Sequence, residues 1–168
     1  MKPIKLVLVV SLSMLALAAC GSSGEGNAEP RESSSPSTEE VVVSGTDKIS
    51  LTGTDPQIVV HDLALAADMS VGGRLAYVEV GKCLVVHGKR AEQEFTMTPV
   101  WPEGTEAVLS GGKRGVKVPG FGPVLEGDAI TAGGSYLKPG DKRAVASGID
   151  PACRAKDGFI VFNAGTFA

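Results

Sequence analysis

The chain has 168 residues, with 16 Lys and Arg against 19 Asp and Glu and a formal net charge of −3. An acidic balance argues against nucleic acid as a partner, because binders of a phosphate backbone concentrate excess Lys and Arg. The two His, His61 and His87, show no ligand spacing with a Cys, so neither a metal nor another cofactor is expected.

Lys2 and Lys5 begin the chain, Leu6 to Leu17 form a mostly apolar run, and Ala18 and Ala19 lead into Cys20 and Gly21. That is the layout of an export signal, and the apolar run is too short to remain as a membrane span, which needs roughly twenty residues. Leu17-Ala18-Ala19-Cys20-Gly21 resembles the lipobox of bacterial lipoproteins. The resemblance implies removal of residues 1–19 and attachment of diacylglycerol to Cys20, with an acylated amino group as a second anchor. Two or more acyl chains hold a protein stably on a membrane. The expected location is therefore the extracytoplasmic face of the cell membrane, with lipid as the partner of Cys20. The alternative is a plain secretory signal that happens to precede a Cys.

Loss of Lys2 and Lys5 leaves 14 basic residues against 19 acidic ones, five net negative charges. Glu25, Glu29, Glu32, Glu39 and Glu40 carry that excess, so residues 41–168 are nearly neutral, with 13 basic and 14 acidic groups. Residues 20–40 lack large apolar side chains and read as the lipid anchor and a disordered, flexible linker, with a coil reach of roughly 25 Å. Residues 41–168 read as one β-rich domain.

In that domain short β-branched runs alternate with Gly. They are Val41–Val43, Ile49–Leu51, Ile58–Val60, Leu75–Val80, Cys83–Val86, Phe95–Val100, Ala107–Leu109, Val116–Val118, Val124–Leu125, Ala129–Ala132 and Phe159–Asn163. Spacing near ten residues predicts an all-β sandwich or small barrel. Gly81-Lys82 predicts a two-residue hairpin turn with Val80 facing Cys83. In that register Ala76, Val78, Val80, Cys83 and Val85 share one face, and Tyr77, Glu79, Leu84 and Val86 share the other. Asp141 is expected to cap a helical turn ending at Gly148, and Asp150-Pro151 to start a second turn carrying Cys153.

With Cys20 assigned to lipid, Cys83 and Cys153 remain as an even pair in an oxidising compartment, where a disulfide is the default. Two buried free thiols or a reactive pair are the alternatives. The order Cys83, Trp101, Cys153 invites comparison with immunoglobulin domains, but Cys153 lies in a Pro-rich helical turn rather than a strand.

The segments Gly81-Lys82-Cys83-Leu84-Val85-Val86, Val100-Trp101-Pro102-Glu103-Gly104-Thr105, Gly127-Asp128-Ala129-Ile130 with Gly133-Gly134, then Cys153 and Phe159–Asn163 resemble another group. They are similar to a family of small bacterial exported domains, often carried on lipoproteins, over roughly residues 72–163. The resemblance implies a small Greek-key or OB-like barrel with one or two short helical turns. It transfers a fold and no site.

No catalytic constellation is evident. Ser110…Lys113 and Ser135…Lys138 have the Ser-x-x-Lys spacing of penicillin-binding enzymes but lie in Gly-rich or strand-like context rather than at a helix start. Glu92 and Glu94 are the nearest acidic pair and read as exposed strand charges. Lys113, Arg114 and Lys117 form the concentrated positive patch, either a solvated loop or a contact for anionic lipid. Trp101, Phe121 and Tyr136 lie in or beside Gly- and Pro-rich turns and are the candidate binding rim, with core packing as the alternative for each. The leading expectation is a non-enzymatic binding or interaction module for an envelope protein or glycan. A structural accessory subunit of an envelope complex comes second, and a cell-wall hydrolase or transferase third.

Overall fold

The computed structural model describes residues 47–64 and 69–168. Cys20, the export signal, the linker and the expected strand at Val41–Val43 lie outside the described residues. Ten strands are present among those described: β1 Ile49–Thr52, β2 Ile58–His61, β3 Met69–Val78, β4 Cys83–Arg90, β5 Gln93–Pro102, β6 Glu106–Ser110, β7 Lys113–Val118, β8 Gly122–Leu125, β9 Ala129–Leu137 and β10 Phe159–Phe162. The Asp-led turns form as expected. Asp141 accepts from the Arg143 and Ala144 N–H groups to cap α1 (Lys142–Ala146), and Asp150 accepts from Ala152 N–H before the 3-10 turn Pro151–Cys153.

Sheet order is β1-β2-β5-β10-β9-β3-β4, and an additional β4–β5 pairing closes β3, β4, β5, β10 and β9 into a five-stranded barrel. β3, β4 and β5 are successive antiparallel neighbours, and β9 returns after a long connection to pair with β3, which is a Greek key. β10 then fills the gap, antiparallel to β9 and parallel to β5, completing an OB-type barrel. β2 runs parallel to the far end of β5 and carries β1 on its outer edge. Pro99 stands where this exchange of partners occurs. Thr98 N–H donates to Gly158 O on the β10 side, so the Pro99 nitrogen faces the opposite edge, between the last β4 partner at Met97 and the first β2 partner at Val100.

β6, β7 and β8 form a separate antiparallel meander inserted between β5 and β9. Its Val116, Val118 and Val124 belong to the same core cluster as Leu75, Val86, Met97, Trp101, Ile130 and Phe162, so the meander is packed onto the barrel interior. A second cluster on the outer side of β10 and β5 contains Val100, Phe159 and Val161 with Ala144, Ile149, Cys83 and Cys153. All four β10 side chains are buried for this reason, one face against each cluster.

The β3–β4 hairpin departs from its expected register. Val78, not Val80, opposes Cys83, and Val80 is 88% exposed in a four-residue connection closed by Lys82 N–H to Glu79 O. The shift is two residues, so the remaining side chains keep their faces and Cys83 still points inward. Gly81 has a different function from the one its position suggests. A Cβ there would stand 2.2 Å from Cys153 Sγ, so the bare backbone is required by the pair of sulfurs packed over it. Cys83 and Cys153 are at disulfide distance, Sγ–Sγ 1.98 Å, and join the start of β4 to the 3-10 turn.

Candidate functional site

β4 and β5 are joined by Ala91 and Glu92, both at positive φ (47° and 66°), with Arg90 opposite Gln93. Two left-handed residues make the tight turn whose twist suits a hairpin. Glu92 is therefore a turn residue and does not share a strand face with Glu94. Further along the hairpin Gly88 opposes Phe95, and the Phe95 ring lies where a Gly88 side chain would be, 2.4 Å from an ideal Cβ. Both positions face the barrel interior with Val86 and Met97, so on the outside only backbone lies between His87 and Lys89 and between Glu94 and Thr96, a shallow floor.

Over that floor lies a groove of about 510 Å³. Arg74 of β3, His87 and Lys89 of β4, Glu94 and Thr96 of β5, and Lys156 from the loop before β10 line it. An adjoining hollow of about 230 Å³ shares Glu94 and Phe95 and adds Arg90, Gln93, Pro139 and Asp157. The two hollows together hold four Lys or Arg against two carboxylates, in a domain that is close to neutral as a whole.

Each wall is held by backbone contacts. Thr98 Oγ1 donates to Cys153 O (2.6 Å) and accepts from Ala155 N–H (3.0 Å), while Asp157 Oδ2 accepts from Thr96 N–H (2.8 Å), which fixes the loop bearing Lys156 against β5. Arg74 donates to the Gly127 carbonyl, and His87 Nδ1 lies 2.9 Å from Thr96 Oγ1. The Lys89–Glu94 contact is long, 3.8 Å between exposed side chains, and contributes little.

The expected aromatic rim does not assemble. Trp101 is fully buried, because β5 continues past Val100 to Pro102 and strand alternation turns Val100 outward and Trp101 into the barrel. Its ring packs 5.1 Å from Phe162 and 6.3 Å from Phe167. Phe121 is 46% exposed and leans on Phe167 at 5.5 Å, whereas Tyr136 is half-buried against Phe95, with Arg90 stacked 4.9 Å over its ring. Tyr136 thus packs against the barrel core beneath Arg90, and Phe121 belongs to an aromatic group that continues into the core.

Two polar clusters were not evident from local sequence. Asp55 accepts from Arg114 Nε (2.9 Å) and from Tyr77 OH (2.8 Å), and Arg114 lies 4.2 Å over the Tyr77 ring. The hydrogen bonds from Arg114 and then Tyr77 hold the Asp55 carboxyl below its ordinary range. This trio clamps the meander to β3 and engages Arg114, one of the expected positive patch. Lys117 of that patch sits opposite Glu106. Ser110 and Lys113 face each other across the Gly111-Gly112 turn, so the first Ser-x-x-Lys is a hairpin end.

His61 is the second cluster. Leu63 N–H donates to Nδ1 (3.1 Å), which assigns the proton to Nε2 and makes it the donor to Phe162 O (3.0 Å). Burial lowers the pKa of this ring from 6.5 by disfavouring its charged form. Between the folded and unfolded pKa values the unfolded chain binds the extra proton, so stability is complete above about pH 6.5 and falls as pH drops below it. Thermal melts should show that decline, and His61→Gln, which has no titrating group and can still donate to Phe162 O, should flatten it. An unchanged slope in His61→Gln would show that a group other than His61 sets the pH dependence.

Among the described residues no three His, Cys, Asp or Glu side chains gather in a metal-holding group. Fold and groove together define an OB-type barrel with a basic depression on its β3–β4–β5 face. No protein-family model, curated protein or solved structure matches the chain significantly.

Proposed function

We propose that this chain is an exported, lipid-anchored binding module, held at the outer face of the membrane through Cys20, with the groove over β4 and β5 as its ligand seat. The observation that carries the reading is the groove itself, an open depression with unengaged charge on a barrel whose interior is filled. Its volume is within the range that holds a small molecule or a segment of a larger one. OB-type barrels commonly bind on this face, an analogy of fold alone. The buried Cys83–Cys153 pair supports export, since such bonds persist in oxidising compartments. The lipobox resemblance supports the anchor.

Binding is favoured over catalysis by the state of the carboxylates. Glu94 is exposed, and Asp157 accepts from the Thr96 backbone, so neither is a shielded acid poised over the groove. A photoreactive residue replacing Gln93 in the anchored protein should capture envelope material in living cells, and the same residue replacing Lys117 on the meander should not. Capture from Lys117 with none from Gln93 would assign the seat elsewhere.

A further inference from the structure

The class of ligand follows from which charges on this molecule already have partners. Arg114 is engaged by Asp55 and Tyr77, Arg143 by Asp141 at 3.1 Å, and Arg154 by the Ile149 carbonyl. Lys113, Lys117 and Lys142 are unpaired among the described residues as well, so what distinguishes the groove cations is that three of them converge on one depression. Lys156 has no hydrogen bond or ion pair among the described residues, Lys89 has only its long contact to Glu94, and Arg74 uses a single N–H on Gly127 O, leaving most of its five donors. Arg74, Lys89 and Lys156 against Glu94 leave two positive charges around one depression.

Resting on the reading of the groove as the ligand seat, we infer that it takes a phosphate monoester carried on a sugar-sized polar body. A monoester carries close to two negative charges near neutral pH, matching that excess, whereas a carboxylate supplies one. Arg offers a forked donor set and Lys a point charge, the usual pair for phosphate oxygens. The groove volume, about 510 Å³, exceeds what one oxyanion fills, and His87 and Thr96 supply polar contacts for the rest of the ligand. The same monoester chemistry occurs in free sugar phosphates and in the headgroup of phosphatidic acid.

The test uses the lipidated mature protein in uncharged detergent micelles, titrated with glucose 6-phosphate and with glucose. Saturable binding of the phosphate ester alone is expected, weakening as salt is raised, with Lys156→Ala lowering affinity by about tenfold. Lys156 is exposed and free of protein contacts, so its loss leaves the fold intact; Lys117→Ala on the meander should bind as the parent does. Competition by phosphatidic acid mixed into the micelles, and none by phosphatidylcholine mixed in equally, would identify the headgroup as the source; no competition by either would identify the soluble ester. Equal binding of glucose, or indifference to Lys156→Ala, overturns the phosphate inference while capture from Gln93 would leave the seat standing. Phosphate binding that is lost in Lys117→Ala instead overturns the seat. Absence of any binding of the ester overturns the inference outright.

Discussion

Trp101→Ala is expected to destabilise the domain by about 3–5 kcal/mol, a large share of the about 5–15 kcal/mol that holds a typical domain folded. The indole has no exposed surface and lies at the junction of β5, β10 and the meander, touching Phe162 and Phe167, so its removal leaves a cavity that three elements would have to collapse to fill. Its Nε1–H is buried without a hydrogen-bond partner among the described residues, a cost the native core already carries. Trp101→Phe removes that cost along with part of the ring and should therefore lose much less than Trp101→Ala. Urea unfolding measures both: the midpoint should fall steeply for Ala with little change in slope. A Trp101→Ala midpoint within about 0.5 kcal/mol of the parent would contradict the core assignment.

Reduction of Cys83–Cys153 is the second large effect. The bond spans 70 residues of sequence, and in the chain-entropy model a closed loop of that length contributes about 4 kcal/mol by restricting the unfolded chain. The melting temperature should drop on the order of 10–20 °C on reduction, given the entropy of unfolding of a domain this size. Gly81 supplies an internal check. Gly81→Ala should be strongly destabilising while Cys153 Sγ lies against it, and nearly harmless in a Cys83→Ala, Cys153→Ala background where the clash is gone. Equal costs of Gly81→Ala in both backgrounds would mean that the glycine serves the turn rather than the sulfurs.

Much of the strand layout was legible because its signals are local. Each described β-branched run between glycines became a strand, and Asp141 and Asp150 capped helical turns, since capping depends on residues two or three positions away. Even the misplaced β3–β4 register kept every face except those of Glu79 and Val80, which leave the strand, because an even slip preserves alternation. What local pattern did not carry is contact between distant segments. Gly81 looked like turn chemistry because Cys153, the atom it accommodates, is 72 residues away. Ala91-Glu92 gave no turn signal because neither residue favours positive φ. Trp101 looked like a strand end because Pro102 follows it, yet β2 pairs with this end of β5 and extends the strand inward. The groove cations come from β3, β4 and the loop before β10, and only closure of the barrel brings them together. The Lys113–Arg114–Lys117 run, compact in sequence, is instead divided between the Asp55 clamp and the Glu106 pairing.

Intact-mass measurement of the protein extracted from cell membranes tests the proposed export and anchoring at Cys20 most directly. The predicted species begins at Cys20, carries the mass of its attached lipid, and lacks two hydrogens that reappear on reduction of Cys83–Cys153. A chain that retains Met1, or one that begins at Cys20 without added lipid mass, would contradict it.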